Sequence, residues 1–158
     1  MKLLTLPQPW ATAAVCGYMP VINAKKDPGY TGPVVIHAAG VVHGDAAGIG
    51  CELPGFKVQH ALIGVVSLDY ACDPEGTDLP GAVGPSCWVI SMRCVFDQPA
   101  HFHDRATGLR DAPLDLDWEK IIAAALKPRD WLDREWAKHV PVKPDDIHQP
   151  TADGWTGD

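Results

Sequence analysis

Cys87-Trp88-Val89-Ile90-Ser91-Met92-Arg93-Cys94-Val95-Phe96-Asp97-Gln98 has the most regular alternation in this chain of 158 residues. Successive side chains of an extended strand point to opposite faces. A period of two therefore sets Trp88, Ile90, Met92, Cys94 and Phe96 on one face, with Val89, Ser91, Arg93 and Val95 opposite. On the N-terminal side, residues 73–86 hold three prolines and three glycines and read as a surface loop. Before that loop, Ala61 to Tyr70 is a second strand, β-branched at Ile63, Val65 and Val66. Residues 40–57 are rich in Gly and Ala and read as a loop with at most one weak helical turn. Pro33 to Ala38 is a short apolar run that suits a strand covered on both faces.

The N-terminus adds a strand, Lys2 to Leu6, and then a short Ala-rich helix, Ala11 to Cys16. Pro9 suits the first helical turn, and Gly17 stands where a helix stops. Tyr18 to Gly32 contains Pro20, Pro28 and Gly29 and reads as an irregular excursion. Beyond the long strand, Asp117 can cap a helix to about Leu126, and Pro128 can open another that ends before Pro141. In that second helix Arg129/Asp133 and Asp130/Arg134 stand four residues apart. Trp118, Trp131 and Trp136 recur with Ile121, Ile122, Leu126 and Leu132 at helical spacing, which suits packing. Separated strands followed by helices predict an α+β fold: a small, mostly antiparallel β-barrel with a short N-terminal helix and C-terminal helices at its edge. The expected organisation is a barrel over 1–113, a helical extension over 114–140 and an acidic, Pro-rich tail over 141–158.

Charge narrows the partners. Residues 1–110 carry 7 basic and 9 acidic side chains, whereas residues 111–158 carry 6 and 11. Coating of duplex DNA depends on neutralising phosphates, so this balance argues against it. It leaves room for a small nucleotide site. No apolar run approaches the roughly 18 residues that a bilayer requires. The opening Met1-Lys2-Leu3-Leu4-Thr5-Leu6-Pro7-Gln8 reaches Pro and Gln too soon for a secretion signal, so the cytoplasm is the expected compartment. Five cysteines form an odd set without CxxC spacing, which predicts reduced thiols and no metal site. Glycine-rich phosphate loops and Gly-x-Ser-x-Gly elbows do not occur, and no cofactor is expected.

Gln8-Pro9-Trp10-Ala11, Gly17, Tyr30-Thr31-Gly32-Pro33 and Val34-Val35-Ile36-His37-Ala38 follow one another in an order that resembles the ASCH domain, a branch of the PUA-like barrels. Ile63-Gly64-Val65-Val66 is similar to that family's Gly-containing strand, Cys87-Trp88-Val89-Ile90 to its Trp-bearing strand, and Gly108-Leu109 to a late Gly-Leu. The resemblance spans about residues 2–113. It implies a barrel of five or six strands with a ligand cleft beside the first helix. It also implies binding of RNA or nucleotides, and in some compact relatives removal of the acetyl group from N(4)-acetylcytidine. Nuclease activity is ascribed to others. The family's Lys-x-x-Glu-x-Arg segment falls here on Met19, Ile22 and Ala24, while Asn23 keeps the family's polar residue. Methionine can neither activate a nucleophile nor polarise an amide, so the family's hydrolysis is expected to be missing.

The residues expected to bind a ligand are Gln8, Trp10, Asn23, Lys25, Lys26, His37 and Arg93. Trp10 can stack a base or anchor the helix in the core. Gln8 and Asn23 can read base edges, and Gln8 can equally hold a turn. Lys25 and Lys26 can touch a phosphate or simply be solvated. His37 closes an apolar strand and suits a buried, satisfied histidine as well as a functional one. Arg93 can reach the cleft or be exposed. His101-Phe102-His103-Asp104-Arg105 gathers four ionisable groups into five residues, a composition that general acid–base cleavage of RNA can use and that a solvated loop also shows. The preferred expectation is a non-catalytic module for single-stranded RNA or a modified nucleoside or nucleotide. The alternatives are a hydrolase (an amidohydrolase of N(4)-acetylcytidine-like nucleosides or a ribonuclease) and a module that docks a protein through its C-terminal helices and the Trp155 tail.

Overall fold

The computed structural model describes residues 1–42, 54–113 and 115–125. The described elements are β1 (Lys2–Gln8), α1 (Trp10–Cys16), β2 (Val21–Ala24), β3 (Gly32–Val42), β4 (Ala61–Cys72), β5 (Ser86–His101), β6 (Gly108–Asp111) and α2 (Trp118–Ala125). Single 3₁₀ turns occupy Pro54–Lys57 and Pro74–Gly76. The strands form one curled sheet, an open half-barrel, in the order β2-β5-β4-β3-β1-β6. Few helices accompany it, as expected for a small α+β fold.

β1 is buried along its length from Leu3 to Gln8 because it lies between β3 and β6. It runs parallel to β3, whereas the other four described pairings are antiparallel. The parallel pair follows from the excursion between the two strands, because α1 and β2 carry the chain back to the starting end. α1 ends as the sequence predicts. Gly17 is left-handed at φ 87°, and the Tyr18 N–H donates to the Ala13 carbonyl at 3.0 Å. The helix lies close to the sheet over Gly64, where a Cβ would stand 2.9 Å from Val15 Cγ1 and 2.3 Å from the Cys94 carbonyl. Any larger residue at that position would push helix and sheet apart.

Apolar side chains cover both faces of the sheet. Leu4, Ile36, Val66, Trp88 and Ile90 pack with α1 on one face. Leu3, Val35, Leu62 and Phe96 pack on the other, where Leu116 and Trp118 at the start of α2 join them. α2 therefore sits against this second face. Asp117 caps it as expected, its carboxylate accepting the Lys120 N–H at 3.0 Å.

Three sequence expectations need correction. The 18–32 stretch is not wholly irregular, because Val21–Ala24 pairs with Ser86–Val89 as an edge strand just after Pro20. Gly108–Asp111 pairs with β1 as a further short strand. Four residues are too few for a period to declare itself in either case. The third correction concerns the long alternating strand. Val65 faces Cys94 and Ser67 faces Ser91, so β5 holds one extra residue there. That bulge moves the alternation to the opposite phase. Trp88 and Ile90 join the α1 face, whereas Cys94 and Phe96 join the α2 face and Val95 replaces them beside α1. The expected helix from Pro128 and the 141–158 tail, with Trp131, Trp136 and Trp155, lie outside the described residues.

Candidate functional site

Gln8 ends β1 and is fully buried. Its Nε2 donates to the carbonyls of Gly55 at 3.3 Å and Val58 at 2.7 Å, and its Oε1 accepts from the Thr12 N–H and hydroxyl at 3.2 and 3.0 Å. A side-chain amide has two donor hydrogens and two acceptor lone pairs, so nothing remains to read a base edge. Gln8 instead ties the 54–58 turn to α1. Trp10 opens α1 and is 2% exposed within the core. Its ring cannot serve as a solvent-facing platform in this conformation. The indole N–H has no acceptor among the described residues. Between α1, the 54–58 turn and β5 lies an apolar cavity of about 20 Å³, bordered by Thr12, Val15, Val58 and Phe96. That volume holds about one water, far less than a base.

Asn23 is likewise fully buried. Its Nδ2 donates to the Gly81 carbonyl at 2.9 Å, and its Oδ1 accepts the Val83 N–H at 3.0 Å and the Cys87 thiol at 3.2 Å. This residue pins the 79–84 loop to β2. Arg93 stands in the β5 bulge, and its Nη2 donates to Ile90 O at 3.0 Å and Met19 O at 3.2 Å. A bulge interrupts the ladder and leaves carbonyls without a strand partner. The guanidinium bonds Ile90 O beside the bulge and joins it to Met19 O at the exit of α1. Met19, Ile22 and Ala24 are all buried apolar residues, at 1%, 0% and 1% exposure.

Lys25 and Lys26 are exposed on the loop between β2 and β3. The Trp88 indole fixes that loop by donating to the Lys26 carbonyl at 2.9 Å. Tyr30, half-buried on the same loop, donates its hydroxyl to Pro33 O at 2.9 Å and has the Lys2 ammonium 5.8 Å from its ring centre. Lys25, Lys26 and Asp27 thus stand with the Tyr30 ring on this loop, while the Lys2 ammonium beside it pairs with Asp111 at 2.8 Å.

A second polar group gathers where β3, β4 and β5 meet. His37 Nε2 stands 2.9 Å from the Phe102 carbonyl, so that nitrogen carries the proton, and Nδ1 accepts from the Thr5 hydroxyl at 3.1 Å. Burial lowers the imidazole pKa below its ordinary 6.5, more than the Phe102 carbonyl and the Asp104 carboxylate raise it. Fully buried and bonded at both nitrogens, His37 is a neutral bracket between strands. His103 stacks on His60 with ring centres 4.6 Å apart. His60 takes a left-handed φ of 50°, and its ring lies so near Gly40 that a Cβ there would be 2.1 Å from Cε1. Asp104 pairs with Arg110. Burial alone would raise the Asp104 pKa, but the Ala106 N–H and the Arg110 guanidinium overcome it and hold the carboxyl below its ordinary range.

The structure therefore separates the predicted site residues into three kinds. Gln8, Trp10, Asn23 and His37 are sealed inside, Arg93 is engaged in the bulge, and Lys25 and Lys26 face solvent. His60 and Arg110 enter the histidine corner without any local sequence signal. The register that puts Ala61 opposite both Ala38 and His101 brings His60 there, and the pairing of Arg110 with Leu3 brings Arg110. Among the described residues no group of three or more His, Cys, Asp or Glu is placed to hold a metal ion. None of their helices is long and apolar enough to cross a membrane. No family model matches the chain, and no curated protein matches it.

Proposed function

We propose that this chain is an ASCH-like, PUA-like binding module for single-stranded RNA or a modified nucleotide, without the hydrolytic activity of its compact relatives. One observation carries the reading. Two exposed lysines and an aromatic ring lie on the β2–β3 loop, while the positions that the resemblance gives to Lys, Glu and Arg are sealed core residues. Cations that follow a phosphate backbone, beside a ring that offers a π-face, are the features with which proteins hold unpaired strands. The acidic remainder of the chain disfavours duplex coating and leaves a local contact of this kind intact. Unstacked bases suit such a small surface better than a helix does. In this reading the loop, rather than a cleft lined by Gln8 and Asn23, meets the ligand.

Fluorescence anisotropy with short single-stranded RNA tests the proposal. The double variant Lys25→Glu/Lys26→Glu should weaken binding and reduce the log–log salt slope by about 1.4, for two phosphate contacts at ~0.7 each. Equal affinity of the double variant and the parent, or no binding of any RNA, overturns it. Conversion of N(4)-acetylcytidine to cytidine, followed in the ultraviolet, would overturn the non-catalytic part.

A further inference from the structure

Cys72 ends β4 and stands directly opposite Cys87 on β5, which in turn stands opposite Asn23 on β2. Opposed residues of an antiparallel ladder share a face, with Cα atoms about 4.5–5.5 Å apart. A disulfide needs about 4.4–6.8 Å, so the register puts this pair within the separation that a bridge requires. The Cys87 thiol now donates to Asn23 Oδ1 at 3.2 Å, with Val83 O a longer alternative at 3.6 Å. Cys87 is buried and Cys72 half-exposed, so one sulfur is open to solvent and the other waits behind it.

We propose that Cys72 and Cys87 form an oxidisable cross-strand dithiol, a modification site for small-molecule disulfides such as oxidised glutathione. The Cys72 thiolate attacks one sulfur of that oxidant, forming a mixed disulfide and releasing one glutathione thiolate. Cys87 turns from Asn23, loses its proton to water and attacks Cys72 Sγ, releasing the second thiolate. Two protein thiols are oxidised to one cystine, and one glutathione disulfide is reduced to two thiols. The order of attack follows from exposure. Burial and the neighbouring Cys72 raise the Cys87 thiol pKa, which keeps it protonated and out of the first attack. The bond closes the ends of the 73–86 loop, the loop that Asn23 already holds at Gly81 and Val83. Neither cysteine lies on the β2–β3 loop, so the oxidation is independent of RNA binding.

The full chain is incubated with oxidised glutathione, its remaining thiols are alkylated, and it is cleaved at acidic residues. Asp73, Glu75 and Asp78 lie between the two cysteines, so their peptides stay joined only through the new bond. The expected product has lost two hydrogens, retains three of its five thiols and yields the Cys72–Cys87 peptide pair. Its melting temperature under non-reducing conditions should rise. Cys87→Ser keeps a hydroxyl donor for Asn23 and should stop as a stable glutathione adduct on Cys72. Cys72→Ser should leave Cys87 reduced. Five free thiols after oxidation, a stable adduct in the parent chain, or linkage through Cys16, Cys51 or Cys94 would each overturn the proposal.

Discussion

Gln8, Asn23 and His37 differ from the β2–β3 loop in what their polar groups are doing. Each of the three is fully buried, with its hydrogen-bonding atoms engaged by backbone carbonyls, N–H groups or a neighbouring side chain. Lys25 and Lys26 are exposed on a loop held by the Trp88 bond to Lys26 O, the Tyr30 bond to Pro33 O and the Asp27 bond to the Gly29 N–H. Residue type is therefore a poor guide to role. An amide or imidazole at a strand end can close the fold as well as read a ligand, and burial with complete bonding decides which it does. The sealed group should govern stability and leave the ligand alone, and the loop should do the reverse.

The sharpest way to break that distinction is Gln8→Leu. The substitution leaves Val58 O and the Thr12 N–H without their partner, while Gly55 O keeps the Thr12 hydroxyl at 2.9 Å. Orphaned buried groups cost about 1–3 kcal/mol each, and partial relaxation should hold the total near about 3 kcal/mol. Urea denaturation measures this. Where the variant is folded, its RNA affinity should match the parent's, and a specific loss of binding would return Gln8 to the ligand site.

Arg93→Met is next in size. It removes the donor to Met19 O and Ile90 O but keeps much of the apolar stem. A loss of about 1–2 kcal/mol is expected by the same measurement. The variant also probes why the sequence reading of β5 went only part of the way. Alternation declared the strand, yet it placed Trp88 and Phe96 on one face, whereas they lie on opposite faces. An inserted residue changes phase without changing composition, so the bulge is invisible until the partner strand supplies a register. β2 and β6 were hidden for a related reason, since strands of four residues draw their identity from neighbours. The Gln8, Asn23 and His37 positions were legible as special, but their role was not. What bonds them comes from residues between 32 and 65 positions away in sequence for His37, and 58 to 64 for Asn23.

His37 sharpens the comparison through pH. Its folded pKa is depressed, so the unfolded chain takes up the proton first. The stability it contributes is complete above the unfolded value of 6.5 and is lost as pH falls from there toward the lower folded pKa. Phe102 O and Asp104 favour the cation, whereas Arg110 and His60 oppose it along with burial. His37→Asn should flatten this part of the stability profile in denaturant titrations at successive pH values. Asp104 contributes separately and at lower pH, because its folded pKa lies below 3.8 and its stabilisation fades only as pH falls through that range. An unchanged profile between neutral pH and the mid-acid range in the variant would show that His37 is not the buried neutral bracket described.

The smallest effect on stability belongs to Lys25→Glu/Lys26→Glu, and it should be the largest on RNA. Both side chains are exposed, and the loop's bonds through Lys26 O, Tyr30 and Asp27 use groups that the substitution keeps. Surface changes of this sort usually stay within about 0.5 kcal/mol. Reversing two charges at a phosphate contact removes two attractions and adds two repulsions, so the anisotropy midpoint should shift most at low salt and converge with the parent's as salt rises. Convergence is the decisive feature. A variant that binds less well by the same factor at every salt concentration has lost a shape contact, not a charge contact, and the division between a sealed scaffold and an electrostatic loop would then fail at the loop.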